Sequence, residues 1–280
     1  MNRIKLKLNN ILIDSRLWGK YFDITYRDDF DYITESAQFV SGFSEDLKKK
    51  TIITAFENPY SFKKSAYPFI HSKDFKLILN INNIEKENFI NTSGYYIAGW
   101  RSVFSNYKPH NHITINDLIS RHNIYFAYSN GRSQYRTILL KNICDSISDI
   151  NNKGKVFNAV KNADTRLSLN NCNSKLGLAF ENSLNIGYIT EKILVCYLRQ
   201  TVPVYYGNKE NIEIMKATGW NPDAFINVSE YTPDKVVSVL KDYLNNPEEI
   251  VKKYNQPLFF SNHFEQLDNK MKEIKHRLEK

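Results

Sequence analysis

The sequence predicts an α/β fold in two halves, each built on a parallel sheet, and three observations predict it. The stretch from Leu176 to Gly207, LGLAFENSLNIGYITEKILVCYLRQTVPVYYG, runs strand, polar loop, helix, strand, which is one βαβ step. Short apolar runs bounded by polar or turn residues recur on both sides of it. A length of 280 residues is enough for two medium domains, each with its own core.

Taken in order, Ile4 to Leu8 and Ile11 to Ile13 are strand-like, and Asp28 to Ile33 reads as a turn entering a short strand. Thr51 to Phe56 is a buried-strand run that ends in Glu57-Asn58-Pro59. That places a carboxylate at the C-terminal end of a parallel strand, where open α/β sheets put their ligands. Phe75 to Leu79 and Tyr95 to Trp100 are further apolar segments, followed by a loop with Pro109, His110 and His112. The pattern from Ile113 to His122 is weakly helical, and Ile124 to Tyr128 is a strand that opens the second half.

In that half, Ser129-Asn130-Gly131-Arg132 is a turn leading into a helix from Ser133 to Ile147. In the central stretch Leu176 to Phe180 and Val202 to Tyr206 are the strands, and Ile193, Leu194, Tyr197 and Leu198 form one buried helical face. Ala224 to Val228 reads as a strand, and Pro233 occupies the first position of a helix whose core face includes Val236, Val237 and Leu240. Pro257 breaks the pattern, after which Phe264, Leu267, Met271, Ile274 and Leu278 predict an amphipathic C-terminal helix. The expected organisation is therefore an N-terminal domain over 1–117, a second over 118–256 and the helix over 257–280.

Hydrophobic residues at 42% with 24% charged are those of a folded protein, and the 14% aromatic content fits an AT-rich codon bias as well as a sugar-binding cleft. The net charge of +8 predicts attraction to anions. The positive residues are spread out, with dense patches only at Lys48 to Lys50 and in the last eleven residues, which argues against nucleic acid as a partner. Lys270, Lys272, Lys275, His276 and Arg277 lie off the apolar stripe of the final helix. Such a helix either packs on the protein with a solvated basic face or makes peripheral contact with an anionic membrane.

Cys144, Cys172 and Cys196 have no spacing that suggests a disulfide framework or a zinc site, which points to a reducing compartment. Residues 1–18 contain no apolar core long enough for a signal peptide, and no window approaches a membrane span. The expectation is a cytoplasmic protein, peripheral at most on the inner face of a membrane.

The start of the central helix is electrostatically odd. With Thr190 as N-cap, Lys192 falls in the first turn, where a cation opposes the helix dipole at a cost of about a few tenths of a kcal/mol. Either Glu191 or solvent screens it, or Lys192 holds a phosphate there.

The blocks Phe180-Glu181-Asn182-Ser183, Tyr188-Ile189-Thr190-Glu191-Lys192 and Val202-Pro203-Val204-Tyr205-Tyr206-Gly207, followed by Ala224-Phe225-Ile226-Asn227-Val228, strongly resemble the α-1,3-fucosyltransferases of glycosyltransferase family 10. Ser129-Asn130 with Arg136, and Phe56-Glu57-Asn58-Pro59, resemble upstream segments of that family, so roughly residues 50–230 are covered. The resemblance implies a GT-B architecture, two Rossmann-like domains with a cleft between them, the first for the acceptor and the second for GDP-fucose. It implies inverting transfer of fucose to a glycan hydroxyl, O3 of GlcNAc or Glc, in bacterial surface-polysaccharide or lipopolysaccharide synthesis.

Transferred residue by residue, the resemblance makes Glu57 the general base and Glu191 a catalytic carboxylate beside the sugar. Arg136 and Lys192 would take the diphosphate, where a planar fork and a point charge suit different oxygens. Asn182, Tyr188, Ser129 and Asn130 would complete the donor site. No cofactor or metal is expected, although stimulation by a divalent cation stays open. Taken alone, Glu57 reads first as an N-cap or turn carboxylate before Pro59, Asn182 also fits a loop residue bonded to its own backbone, and Tyr188 also fits a core aromatic.

Departures from the family pattern include Ser229-Glu230-Tyr231 in place of the vertebrate-type Asp-Asp-Phe, and Val195-Cys196-Tyr197-Leu198-Arg199-Gln200 where small residues such as Ala and Gly are common. The alternatives are a relative using another nucleotide sugar, a catalytically silent glycan-binding paralogue, and a nucleic-acid binder resting on charge alone.

Overall fold

The computed structural model describes residues 3–9, 15–36, 43–55, 74–80, 87–92, 94, 107–126, 128, 133–152 and 173–280. They divide into two compact units. One comprises Met1–Asn106, Asn185–Ile189 and Ser261–Lys280, and the other Tyr107–Leu184 and Thr190–Phe260.

The sheet of the first unit contains β1 (Lys5–Leu8), β2 (Asp23–Thr25), β3 (Tyr32–Ser36), β4 (Thr51–Ala55), β5 (Leu77–Asn80) and β6 (Phe89–Asn91). Its order is β2-β1-β3-β4-β5-β6, with every pairing parallel. Ile52, Ile53, Ile78 and Leu79 are fully buried, as the apolar runs of central parallel strands require. The strands Asp23–Thr25 and Phe89–Asn91 were not legible in the sequence, because three residues carry no period.

The C-terminal helix, Ser261–Glu279, belongs to this unit. Leu267, Met271, Ile274 and Leu278 are its buried stripe. Tyr21 Oη donates to Asp268, Tyr32 Oη to the Leu278 carbonyl at 2.7 Å, and Arg277 to the Glu87 carbonyl at 2.6 Å. Its basic face is laced with pairs, Lys270–Glu273 at 2.8 Å and Lys272–Asp268 among them. The apolar stripe is thus committed to packing within the protein. No helix among the described residues is long and apolar enough to cross a membrane.

The second unit holds β7 (His122–Phe126), β8 (Ile150–Asn152), β9 (Ser174–Phe180), β10 (Val202–Tyr206) and β11 (Ile226–Asn227) in the order β11-β10-β9-β7-β8, again all parallel. The helix Gln134–Ser146 lies between β7 and β8 in the chain, and Lys192–Leu198 between β9 and β10. One crossover therefore leaves the centre of the sheet in each direction. The C-terminal ends of β7 and β9 form a topological switch point, where a doubly wound sheet opens a crevice for a ligand.

The structure moves the expected boundary from 117 back to 106. Residues 107–117 join the second unit because an aromatic and polar clasp ties them there. The His110 N–H donates to Tyr197 Oη at 3.1 Å, and its ring stacks on Tyr197 with centroids 3.7 Å apart. Asn255 exchanges two hydrogen bonds with the Ile113 backbone, at 2.9 and 3.1 Å. The weakly helical stretch in this segment is a single 3-10 turn, Asn116–Leu118.

Other boundaries also shift. The strand expected over Ala224 to Val228 shortens to Ile226–Asn227, because Asn221 caps a 3-10 turn, Pro222–Ala224, through the Asp223 N–H. Thr232 caps the Pro233–Asn245 helix through the Lys235 N–H as its proline predicts. The helix Pro247–Tyr254 that follows was not foreseen. The bulk of the central helix is accommodated by Gly177 on β9. A Cβ there would lie 2.2 Å from Thr201 Oγ1 and 3.0 Å from Cys196 Cβ. Neither of the two described cysteines, exposed Cys144 and buried Cys196, is in a disulfide.

Candidate active site

The site grows from the C-terminal end of β9. The Glu181 N–H donates to the Tyr206 carbonyl at 2.8 Å, carrying the β9–β10 pairing one residue beyond the strand. The sheet thereby fixes where this side chain begins. Its carboxylate is 0% exposed and accepts from the Thr190 N–H at 2.8 Å, from Thr190 Oγ1 at 2.7 Å and from Lys192 Nζ at 3.1 Å. Lys192 also donates to Thr190 Oγ1 at 2.8 Å. Three donors converge on one carboxylate, the condition under which a buried charge is tolerated.

The charges of this group are coupled. Burial pushes the Glu181 carboxyl above its usual range, against the Lys192 ammonium and the two Thr190 donors, which pull it down. For Lys192 burial acts downward, but the Glu181 and Glu191 carboxylates outweigh it and hold the ammonium above its ordinary value. Lys192 is therefore a cation at neutral pH.

Thr190 is not the N-cap that the sequence suggested. Glu191 takes that place in a helical conformation without a capping side chain, and the Thr190 hydroxyl is committed to Glu181 instead. The helix has only seven residues, Lys192–Leu198. The odd charge in its first turn is answered from inside the protein by Glu181, eleven residues earlier, and not by its neighbour or solvent alone.

From the other side of the switch point comes Arg136, in the first turn of the Gln134–Ser146 helix and 1% exposed. Its guanidinium lies over the Tyr128 ring at 4.5 Å and donates to Asn182 Oδ1. Tyr128 is itself pinned to β9, its hydroxyl donating to the Leu178 carbonyl at 2.5 Å and accepting from the Phe180 N–H at 2.7 Å. Tyr135 Oη donates to the Glu181 carbonyl at 2.5 Å. Arg136 lies near enough to Lys192 to oppose its charge. Two cations thus converge on the loop that carries Glu181 and Asn182, which suits a ligand with adjacent anionic oxygens.

On the β10 and β11 side, the Gly207 N–H donates to Ser229 Oγ at 3.2 Å, and the Ser229 N–H to Asn227 Oδ1 at 3.1 Å. Ser229, where the vertebrate-type pattern has aspartate, therefore ties the ends of β10 and β11 together.

The structure brings Arg136, Asn182, Glu191 and Lys192 into one neighbourhood. Tyr188, 1% exposed, sits on the Asn185–Ile189 turn, which belongs to the other unit. Glu57, Ser129 and Asn130 lie outside the described residues. Sequence reasoning missed the Tyr128 platform and the hold of Glu181 on Lys192. The signal for the second was present, since a glutamate ending a buried strand beside a first-turn lysine is a natural counter-charge. Among the described residues no cluster of His, Cys, Asp or Glu could hold a metal ion.

The model of glycosyltransferase family 10 (fucosyltransferase), C-terminal part, matches residues 119–276. The chain belongs to that family. It is 31% identical over 130 residues to alpha-(1,3)-fucosyltransferase FucT of Helicobacter pylori, across 45% of this chain and 25% of that protein. The match thus spans about a quarter of that relative's length. In fold it resembles a crystal structure of α1,3-fucosyltransferase with GDP, at TM-score 0.62 and 18% identity, over 98% of this chain and 90% of that one. The crystal structure of α1,3-fucosyltransferase with GDP-fucose is similar at TM-score 0.61 and 18% identity, over the same shares of both chains. The architecture is GT-B. The family match falls mostly on the second unit, where Arg136, Asn182, Glu191 and Lys192 sit, and also takes in Asn185–Ile189 and most of the C-terminal helix.

Proposed function

We propose that this member of family 10 transfers fucose from GDP-fucose to a hydroxyl of a glycan acceptor, with inversion at the anomeric carbon. The observation that carries the reading is the meeting of Arg136 and Lys192 at the switch point of the second sheet. A diphosphate leaving group needs its growing charge stabilised by donors already in place. An arginine stacked on a tyrosine and a lysine held by a buried carboxylate are such donors.

In this reading Arg136 and Lys192 take the diphosphate, and Asn182 and Glu191 flank the sugar. Glu191 offers negative charge to the oxocarbenium-like transition state. Tyr188, Ser129 and Asn130 complete the donor site. Glu57 takes the proton from the acceptor hydroxyl as general base, so Glu57→Gln abolishes transfer while leaving GDP binding nearly intact. The acceptor is a surface-polysaccharide or lipopolysaccharide precursor with a free O3 on GlcNAc or Glc, met on the cytoplasmic side, and no metal is required. The C-terminal helix, with its stripe packed and its lysines paired, offers a membrane only weak electrostatic contact.

A glycan-acceptor array with GDP-fucose tests this directly, with product linkage read by NMR and GDP release by a coupled assay. Turnover with a fucose product supports the reading. Turnover with another nucleotide sugar alone overturns the donor, and no turnover with any donor overturns the activity.

A further inference from the structure

Lys192 does not stand free at the site. Its ammonium has three N–H donors, and among the described residues two are engaged, one by Glu181 Oε2 at 3.1 Å and one by Thr190 Oγ1 at 2.8 Å. Thr190 Oγ1 in turn donates to the same Glu181 oxygen at 2.7 Å, which closes a three-membered ring of hydrogen bonds. The lysine side chain keeps 15% of its surface exposed, while the glutamate has none. A lysine is ordinarily a flexible point charge on a four-carbon stem. Here two of its three protons are fixed toward the protein, and one remains for an acceptor on the open side.

We propose that Glu181 is a positioning residue for the donor reaction, acting through Thr190 and Lys192 to aim the lysine's remaining proton at the leaving diphosphate. The inference rests on the functional reading above, which gives Lys192 that ligand. It goes further in assigning Glu181 a role that involves no contact with the substrate. Glutamine at this position keeps the shape but not the function. Its single carbonyl oxygen cannot accept from three donors, and its NH2 group faces the Thr190 N–H or the Lys192 ammonium as a donor against a donor. In either orientation one donor loses its acceptor and the lysine loses its charged partner, so the hold on the ammonium weakens.

The test is a double-mutant cycle on GDP affinity and on kcat/KM, using Glu181→Gln, Lys192→Ala and the pair. Glu181→Gln should weaken GDP about tenfold or more, the loss that goes with a charge-assisted bond. In the Lys192→Ala background it should cost nothing further. Equal losses in both backgrounds would mean that Glu181 supports only the fold, and the proposal fails.

Thr190→Val and Thr190→Ser give a second arm if Glu181→Gln does not fold. Valine should lower kcat/KM and serine should restore it; valine at the wild-type value overturns the proposal. If the unmodified protein binds no GDP, the functional reading falls and this inference with it. If it binds GDP but the cycle is additive, only the role of Glu181 is lost.

Discussion

The two sheets follow the same plan around their first strand, β2-β1-β3 in one unit and β8-β7-β9 in the other, yet they dress the resulting crevice differently. At the ends of β1 and β3 an amide meets a buried carboxylate, Asn9 Nδ2 donating to Glu35 Oε2 at 2.8 Å. At the ends of β7 and β9 the carboxylate of Glu181 meets the Lys192 ammonium, with Glu191 beside the lysine and Arg136 close by. Topology supplies a switch point twice, and the second brings Lys192 and Arg136 to it. On that difference rests the proposal that the donor is bound by the second unit.

The sharpest way to break the comparison is to remove its cations. Lys192→Ala, or Arg136→Lys with its loss of planar fork and stacking, should each lower kcat/KM by about 10²–10³, the usual cost of one preorganised donor to developing charge. Steady-state rates of GDP release check this, and a loss below threefold in both would contradict it.

Next in size is an effect on the sheet that carries the site. Gly177→Ala drives a methyl into Thr201 Oγ1 and Cys196, so it should destabilise the protein by about 1–3 kcal/mol of overpacking, read as a lowered denaturation midpoint. Unchanged stability would show that β9 and its helix can part without cost.

A smaller effect concerns the clasp that joins residues 107–117 to the second unit. Burial lowers the His110 pKa below its ordinary 6.5, and Arg121 adds to this, against the Tyr197 and Tyr254 carbonyls that favour a proton. The unfolded chain therefore binds the proton more readily than the folded one. Stability from this site is complete above about pH 6.5 and falls as the pH drops below it. Denaturant midpoints between pH 5 and 8 should show this slope in the wild type and a shallower one in His110→Gln.

The smallest effect should come from the other crevice. Glu35→Gln is expected to leave GDP affinity within about twofold of wild type, since no donor role is assigned there. A tenfold change measured by calorimetry would reverse the assignment of the two units.

How much of this was legible in the sequence follows from what each residue depends on. The βαβ step around Leu176 to Gly207 was readable because strand, helix and strand each carry a local period, and the structure reproduces it as β9, Lys192–Leu198 and β10. Lys192 was found as a cation in a first turn, a local oddity, whereas Arg136 was found only through the resemblance of its segment to the family. Their partners were harder. Tyr128 serves Arg136 through a ring whose hydroxyl is fixed by another strand, and nothing near Tyr128 in the chain shows that. The boundary at 106 depends on stacking between His110 and Tyr197, residues far apart in sequence that propensity cannot pair.

Amide hydrogen exchange with and without GDP reports on both switch points in one experiment. With GDP, exchange should slow in residues 181–184 and 190–195 and in the first turn of the Gln134–Ser146 helix, with β1 and β3 unchanged. Protection confined to the ends of β1 and β3, or none in either unit, would contradict the proposed donor site.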